Sequence, residues 1–175
     1  MNLLTAELPQ ALVVEAQRAW QDILEHAGTD LATKLTTALQ DNPAALQLPR
    51  VLACSPFIAD LLRRQPQLLL DLLATGQLQH SLPPETFHDE LHCLLRCDGA
   101  ALAPVLRHFR ARHMLRIVWR DFTRLADTLE TVRDTSLLAE ASIAQALAFS
   151  QAELEDRYGV PRGRPAFDLH LPRLA

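Results

Sequence analysis

Four arginines at intervals of four residues form the most regular charged pattern in this sequence: Arg112, Arg116, Arg120 and Arg124. The segment 106–125 around them holds six arginines and one acid, although the whole chain carries a net charge of −4. On a helix, residues four apart lie on one face, and apolar residues of the same segment fall on the opposite face. Guanidinium groups in such a row have the chemistry to bind carboxylates or phosphates.

Three interpretations of this arginine face remain open. Like charges four apart repel one another, so acids elsewhere in the chain, such as Glu140, Glu153 or those of the acidic first half, would have to compensate them. The face would then be solvated or paired within the molecule. Alternatively, it binds an acidic partner domain or protein, which makes Arg112, Arg116, Arg120 and Arg124 candidate partner-binding residues. Binding of phosphate or nucleic acid is less favoured, because the middle of a helix offers no free backbone N–H donors.

A second candidate site begins at His88 and His92, which are four residues apart and are followed by Cys93 and Cys97. The pattern resembles the H-E-x-x-H zinc motif, with Asp89 in place of the glutamate. Ligands from one straight helix cannot surround a tetrahedral ion, so we predict no metal site. No nucleophile elbow, P-loop or dinucleotide-binding glycine motif occurs in the chain. We therefore predict no catalytic residue and no cofactor bound by this chain, and we interpret Cys54 as a structural thiol.

Charge and hydropathy limit the class of protein further. Residues 1–103 carry 12 acids and 6 bases, and residues 104–175 carry 9 acids and 11 bases, an imbalance too small for a typical nucleic-acid-binding protein. The sequence contains no run of 18 apolar residues, so it predicts no membrane span, and the first residues lack the basic region of a signal peptide. Three cysteines without an export signal favour reduced thiols. We therefore predict a cytoplasmic protein with no membrane partner.

The elements that would position these side chains are helices. Leucine and alanine supply most of the apolar residues, and positions 105–158 contain neither proline nor glycine. Ser55 followed by Pro56 predicts a helix start, and Gly76 predicts a helix end. We predict an all-α fold of about seven helices: 9–26, 29–41, 55–65, 66–76, 83–98, 101–129 and 136–158.

The last two predicted helices, 101–129 and 136–158, are long and separated by a short turn, which favours an antiparallel hairpin on which the shorter helices pack. Residues 159–175 hold three of the 11 prolines and show no helical period. We therefore predict a helical domain over 1–158 and an irregular tail over 159–175, in which FDLHLPRLA alternates as the start of a strand would.

Two segments resemble the bifunctional glutamine synthetase adenylyltransferase/adenylyl-removing enzymes. The first, at 51–73, shares the pattern Ser55, Phe57, Arg64, Gln65, Pro66, Leu68 and Leu69. The second, at 106–141, shares Leu106, Arg107, Phe109, Arg110, Arg112, Met114, Leu115, Arg116, Ile117, Arg120 and Asp121. A helix end with Glu155, Arg157, Tyr158, Gly159 and Pro161 follows at the distance seen in that family.

The resemblance implies the N-terminal helical part of the adenylyl-removing half, with residues 159–175 leading into a nucleotidyltransferase domain that is missing here. Mg²⁺ and ATP, and glutamine synthetase and a PII signalling protein as partners, are implied for the full-length family. None of the family's catalytic residues has a matching position, and Asp168 is not part of an aspartate pair. Whether this chain is itself an enzyme stays open. The alternative is a stand-alone all-α interaction module that uses the arginine face.

Overall fold

The computed structural model describes residues 8–97 and 101–159. These residues form helices and no strand, which confirms the all-α prediction. In chain order, the described helices are α1 (Gln10–Gln40), α2 (Ala44–Cys54), α3 (Pro56–Arg64), α4 (Gln67–Ala74), α5 (Glu85–Cys97), α6 (Leu102–Phe122) and α7 (Thr128–Tyr158).

For the first 54 residues, one prediction is confirmed and another needs correction. The helices predicted at 9–26 and 29–41 are separated by a non-helical break at Gly28, where φ is 73°, and the two segments on either side of this kink are numbered together as α1. Helix α2 was not predicted at all, because Pro43 and Pro49 read as breaks in the helical pattern. Pro43 in fact precedes the first turn, and Pro49 is tolerated inside the helix, where its ring is buried.

The start and end signals of the next two helices are confirmed. The Oγ of Ser55 accepts a hydrogen bond from the backbone N–H of Ile58 at 3.3 Å, and Pro56 occupies the first turn of α3. Gly76 follows the end of α4 with a φ of 67°, a left-handed conformation that glycine adopts without a steric penalty. The α4–α5 loop (75–84) begins there.

The hairpin of α6 and α7 is confirmed, but its turn lies earlier than predicted. Helix α6 ends in a Schellman motif: the N–H of Leu125 donates to the carbonyl of Arg120 at 2.9 Å, and the N–H of Arg124 to Asp121 at 3.1 Å. Arg124 takes the left-handed position with a φ of 61°. Asp127 then caps α7 by accepting the Glu130 N–H at 2.7 Å. The predicted boundaries 101–129 and 136–158 therefore shift to 102–122 and 128–158.

Helix α6 lies between two hydrophobic clusters. One cluster contains residues of α1, α2, α3 and α4 and includes Leu115 and Trp119 of α6. The other joins Phe87 and Leu91 of α5 to Phe109 and Ile117 of α6 and to the buried side of α7. Because both clusters use α6, this helix is covered on more than one side.

Other predictions concern hydropathy and residues outside the described ranges. Among the described helices, none alone is long and apolar enough to span a bilayer; α2 and α3 reach that composition only together, and the chain bends by 113° between them. The predicted helix end at residue 98, the irregular tail and the predicted strand at its end lie outside the described residues, apart from Gly159 at the end of α7.

Candidate functional site

Arg116, one of the two middle residues of the predicted arginine face, is fully buried, with 0% of its surface exposed. Its Nη1 donates to the Asp134 carboxylate on α7 at 2.8 Å. Its Nε donates to the backbone carbonyl of Gln77 at 3.0 Å, and its Nη2 to that of His80 at 2.7 Å. One guanidinium group thus joins α6, α7 and the α4–α5 loop.

Arg120 and Arg112 extend this pattern by one helical turn in each direction. Arg120, 3% exposed, donates to Glu130 on α7 at 2.9 Å and to the backbone carbonyl of Leu78 at 3.2 Å. Arg112 donates to Glu90 on α5 at 2.9 Å and to the side chain of Gln77 at 2.9 Å. We call the three arginines, together with Glu90, Glu130 and Asp134, the arginine network.

The arginine network supplies hydrogen-bond donors to the buried backbone of the α4–α5 loop. Leu78 of this loop is buried in the first hydrophobic cluster, so the loop backbone is drawn into the interior. A buried carbonyl without a donor costs free energy comparable to a lost hydrogen bond. Arginine offers five N–H donors in a fixed plane, and Arg116 and Arg120 direct theirs at three loop carbonyls. The network therefore fixes the loop against the hairpin.

Burial and charge act on the ionisable groups of the network in opposite directions. Burial lowers the pKa of Arg116 below its ordinary value, and the hydrogen bond and charge of Asp134 offset only part of this effect. Arginine nevertheless stays protonated in proteins. Burial raises the pKa of Glu90, but His113, together with the charges of Arg112 and His108, outweighs burial and leaves the pKa below its ordinary value.

His113 is a buried neighbour of the network that spacing alone did not single out. Its ring is fully buried between the rings of Phe87 and Phe109, with centroid distances of 4.7 and 4.5 Å. Its Nε2 lies 3.3 Å from a carboxylate oxygen of Glu90, at ion-pair distance but without hydrogen-bond alignment. The network therefore continues from polar contacts into the second hydrophobic cluster.

The arginine face of the sequence prediction is thus not one exposed surface. Arg116 and Arg120 are buried and internally paired, and the Arg112 side chain is 11% exposed. Only Arg124 of the four is exposed, because the turn begins there. The compensating acids are Glu90, Glu130 and Asp134 rather than Glu140 and Glu153, which are exposed. Partner binding stays a prediction, and in the folded chain only Arg124 and the small exposed part of the Arg112 side chain are accessible to a partner.

The histidine pair of α5 lies apart from the network. The rings of His88 and His92 stack with centroids 6.2 Å apart, and His88 lies 3.4 Å from the Gln145 amide on α7. Cys54 and Cys93 are exposed thiols. In the ranges 8–97 and 101–159, no three His, Cys, Asp or Glu side chains are grouped so as to hold a metal ion.

Several residues of the network escaped sequence reasoning. Glu130 and Asp134 are four apart on α7 and pair with Arg120 and Arg116, which are four apart on α6. This matched spacing was a usable signal, but the predicted turn at 130–135 removed both acids from a helix. The loop carbonyls of Gln77, Leu78 and His80 had no side-chain signal at all.

The described residues form an all-α domain in which two hydrophobic clusters and a buried arginine network join the helices. A family model described as "Glutamate-ammonia ligase adenylyltransferase" matches residues 45–168, which include α2 to α7. This match covers most of the chain, and the chain belongs to this family.

Individual relatives agree with the family match. The chain is similar to bifunctional glutamine synthetase adenylyltransferase/adenylyl-removing enzymes of Pseudomonas syringae pv. tomato (32% identical), Pseudomonas aeruginosa (34%) and Thioalkalivibrio sulfidiphilus (37%). These matches cover 90 to 91% of this chain but 16% of each relative, so the chain spans about one sixth of their length. No solved structure matches the chain.

Proposed function

We propose that this chain forms a helical unit of an enzyme that adenylylates and deadenylylates glutamine synthetase, and so takes part in regulating nitrogen metabolism. The observation that carries the proposal is the family match over residues 45–168, which includes the whole arginine network. The relatives that share this region are named for both reactions on glutamine synthetase.

In this proposal the chain contributes structure and packing rather than reacting groups. Every guanidinium nitrogen of Arg116 and Arg120 donates a hydrogen bond to a carboxylate or a backbone carbonyl, and both side chains are buried, so neither presents a surface to a nucleotide. Nucleotidyl transfer with two metal ions needs carboxylates fixed beside the metals. We assign the Mg²⁺ and ATP chemistry to a nucleotidyltransferase domain in the part of the relatives that this chain does not cover.

The partners follow from the family. Glutamine synthetase is the substrate protein in the relatives' names, and we propose it as the protein on which the complete enzyme of this chain acts. A PII signalling protein as regulator and a cytoplasmic location are further parts of the proposal. The regulator is implied by the family resemblance.

A stand-alone interaction module is the second candidate function. Its original support was the arginine face, of which Arg124 alone is exposed. Arg124 borders a cleft of about 650 Å³ together with Arg50, Asp121 and Asp127. The two acids in this lining offset the two arginines, so the cleft does not favour an acidic partner strongly.

A chimaeric enzyme tests the first proposal. The segment of the Pseudomonas aeruginosa relative that this chain matches is replaced by the matching residues of this chain, and AMP transfer to glutamine synthetase and its removal are measured. We expect the folded chimaera to catalyse both reactions, and the isolated chain with ATP and Mg²⁺ to catalyse neither. A chimaera that unfolds cooperatively but has lost both activities, or an isolated chain that transfers AMP, would contradict the proposal.

A further inference from the structure

A groove with a volume of about 550 Å³ lies between α6 and α7, in the N-terminal half of α6. Its lining includes Leu106, Arg107 and Arg110 of α6 and Ser142, Ile143 and Ala146 of α7. The deeper part is apolar, because Leu106 packs against the second hydrophobic cluster and the Ser142 hydroxyl already donates to the Leu138 carbonyl at 2.7 Å. We call this feature the α6–α7 groove.

Large apolar side chains are exposed beside the α6–α7 groove. Ile143 is 60% exposed, and Leu147, one turn further along α7, is 56% exposed. Of the ten large apolar side chains exposed in the described residues, seven lie on α7. Exposed apolar groups that are concentrated on one element and bordered by polar residues mark an interaction site.

Two exposed arginines, Arg107 and Arg110, border the α6–α7 groove. They are three residues apart on α6 and therefore lie on the same side of the helix. Within the described ranges, neither side chain has a hydrogen bond or an ion pair, whereas Arg116 of the same helix is paired with Asp134. Charged guanidinium groups bind carboxylates well, so these two arginines favour an acidic ligand.

The acid nearest to these arginines does not neutralise them. The pair of Arg116 and Asp134 sets the register of the hairpin, and six residues from each of them stand Arg110 and Glu140. Glu140 is exposed and does not line the groove, and no carboxylate of the described residues lies within 4.0 Å of the Arg110 guanidinium. Because one acid faces both Arg107 and Arg110, the border of the groove keeps an excess of positive charge.

The size of the α6–α7 groove favours a ligand from the same polypeptide. A standard interface between separate proteins needs ~800 Å² from each partner, but the lining of this groove extends over only about one turn of each helix. A tethered segment binds at an effective concentration on the order of millimolar, so a small contact is sufficient. The relatives provide such polypeptide, since this chain spans about one sixth of their length.

We propose, on the basis of the proposed function, that the α6–α7 groove binds an acidic amphipathic helix from the part of the same enzyme outside this chain. A third helix in the groove of a helix pair presents apolar residues at i, i+3 and i+4. These residues contact Leu106 and Ile143. Carboxylates on the flank of the bound helix pair with Arg107 and Arg110.

Zero-length cross-linking identifies the bound segment. Arg107→Lys and Arg110→Lys keep the positive charge and add amines, which a carbodiimide joins to carboxylates in direct contact. In the chimaeric enzyme we expect peptides that join residue 107 or 110 to an acidic segment of the Pseudomonas aeruginosa part. Lys34 is the one native lysine of this chain and lies 2.6 Å from Asp30, so their link shows that the reaction works. Links to Glu140 alone, or no link from 107 and 110, would overturn the proposal.

Thiol labelling measures whether the groove is covered. Ile143→Cys is introduced into the isolated chain and into the chimaeric enzyme, and its labelling rate is normalised to that of the denatured protein. We expect labelling at least about tenfold slower in the chimaera, which corresponds to a groove covered for about nine tenths of the time. A labelling rate in the isolated chain that falls with concentration shows that a second copy covers the groove, and this result would overturn the proposal.

Charge reversal tests the role of the two arginines. In the chimaera, Arg107→Glu with Arg110→Glu should restore the labelling rate at residue 143 to within about twofold of that in the isolated chain. Arg18→Glu with Lys34→Glu is the matched control, since both are exposed basic residues of α1, and it should leave residue 143 protected. Equal protection in both double variants would show that the bound surface is not held by its acids.

Activity and labelling are measured on the same chimaera, so two failures can be distinguished. Both reactions on glutamine synthetase together with fast labelling at residue 143 overturn the groove proposal and leave the proposed function standing. The loss of both reactions in a folded chimaera overturns the proposed function, and the groove proposal with it.

Discussion

The inner face of α6 carries buried arginines, whereas the outer face of α7 carries exposed apolar side chains. This is the reverse of the usual arrangement, in which apolar residues are buried and charged residues are exposed. Toward the interior, α6 presents Arg116 and Arg120, which are 0% and 3% exposed. Toward the outside, α7 presents large apolar side chains, such as Leu129 at 79% and Tyr158 at 71% exposure. Polarity alone therefore does not determine which side of a helix is buried. The hydrogen-bond partners and the packing neighbours that the fold supplies to each side chain determine it.

Each face has its own physical reason. Burying an arginine is costly unless its charge is paired and its N–H groups have acceptors, and the network supplies acceptors from two helices and a loop. Exposed leucines cost little individually, but a line of them becomes favourable when a partner covers it. The network therefore stabilises the folded chain, while the exposed apolar side chains of α7 add little to its stability.

The largest expected effect comes from breaking the network at Asp134, which is 2% exposed. Replacing it (Asp134→Ala) leaves the buried charge of Arg116 without its partner, so the free energy of unfolding should fall by about 3–5 kcal/mol. Glu140→Ala, at an exposed acid of the same helix, should change it by less than about 0.5 kcal/mol. Urea unfolding measures both. Equal, small losses would mean that Asp134 is not needed to balance Arg116.

The two sides of α7 can be compared with one type of substitution. Leu138, 4% exposed, packs in the second cluster, so Leu138→Ala should lower the free energy of unfolding by about 2–4 kcal/mol. Leu154 is 57% exposed, and Leu154→Ala should change it by less than about 0.5 kcal/mol in the monomer. Thermal unfolding at low protein concentration separates the two. A large loss at Leu154 would mean that the outer face already packs within one chain.

A smaller effect is expected from acid. The folded-state pKa of Glu90 lies below its ordinary value, so its ionised form stabilises the fold above the unfolded pKa of about 4.3. This contribution should disappear as the pH falls through the folded-state pKa. The difference in unfolding free energy between the unmodified chain and Glu90→Gln, measured by urea from pH 7 down to pH 3, should therefore shrink below pH 4. A difference that grows on acidification would reverse the sign.

The smallest effect is a gain. Arg124 adopts a φ of 61° at the end of α6, a conformation that costs a side chain with a Cβ about 1–2 kcal/mol. Arg124→Gly should raise the free energy of unfolding by about 0.5–1 kcal/mol, since glycine relieves this strain but gains entropy when unfolded. Arg110→Gly, inside the same helix, should lower it by about 1 kcal/mol. A loss at both positions would show that the Arg124 side chain contributes to folding.

The fold class was accessible from the sequence because helix formation is largely local. The Ser55 cap, the Gly76 end and the long segment without proline or glycine each act within a few residues, and the all-α prediction from them is confirmed. Helix α2 and the α6–α7 turn were missed for equally local reasons. Pro49 looked like a break, and Asp127 with Glu130 three residues later was not recognised as a helix start.

The network could not be predicted in the same way, because burial depends on contacts distant in sequence. Arg116 reaches carbonyls 36 and 39 residues earlier in the chain, and nothing in its own helix indicates a buried loop beside it. The spacing therefore identified arginines that share one face of a helix, but it did not indicate that most of this face is buried. The exposed apolar side chains of α7 could not be predicted for the converse reason, since in the sequence exposed leucines cannot be distinguished from core residues.

The most direct test of this account is the free energy of unfolding of Arg116→Ala measured beside that of Arg124→Ala. The account predicts a loss of about 3–5 kcal/mol at Arg116, where removal leaves one carboxylate oxygen of Asp134 and two loop carbonyls without their donor, and a change below about 0.5 kcal/mol at Arg124. Small and equal changes at both positions would contradict it, because the arginine row would then be a surface rather than the support of the interior.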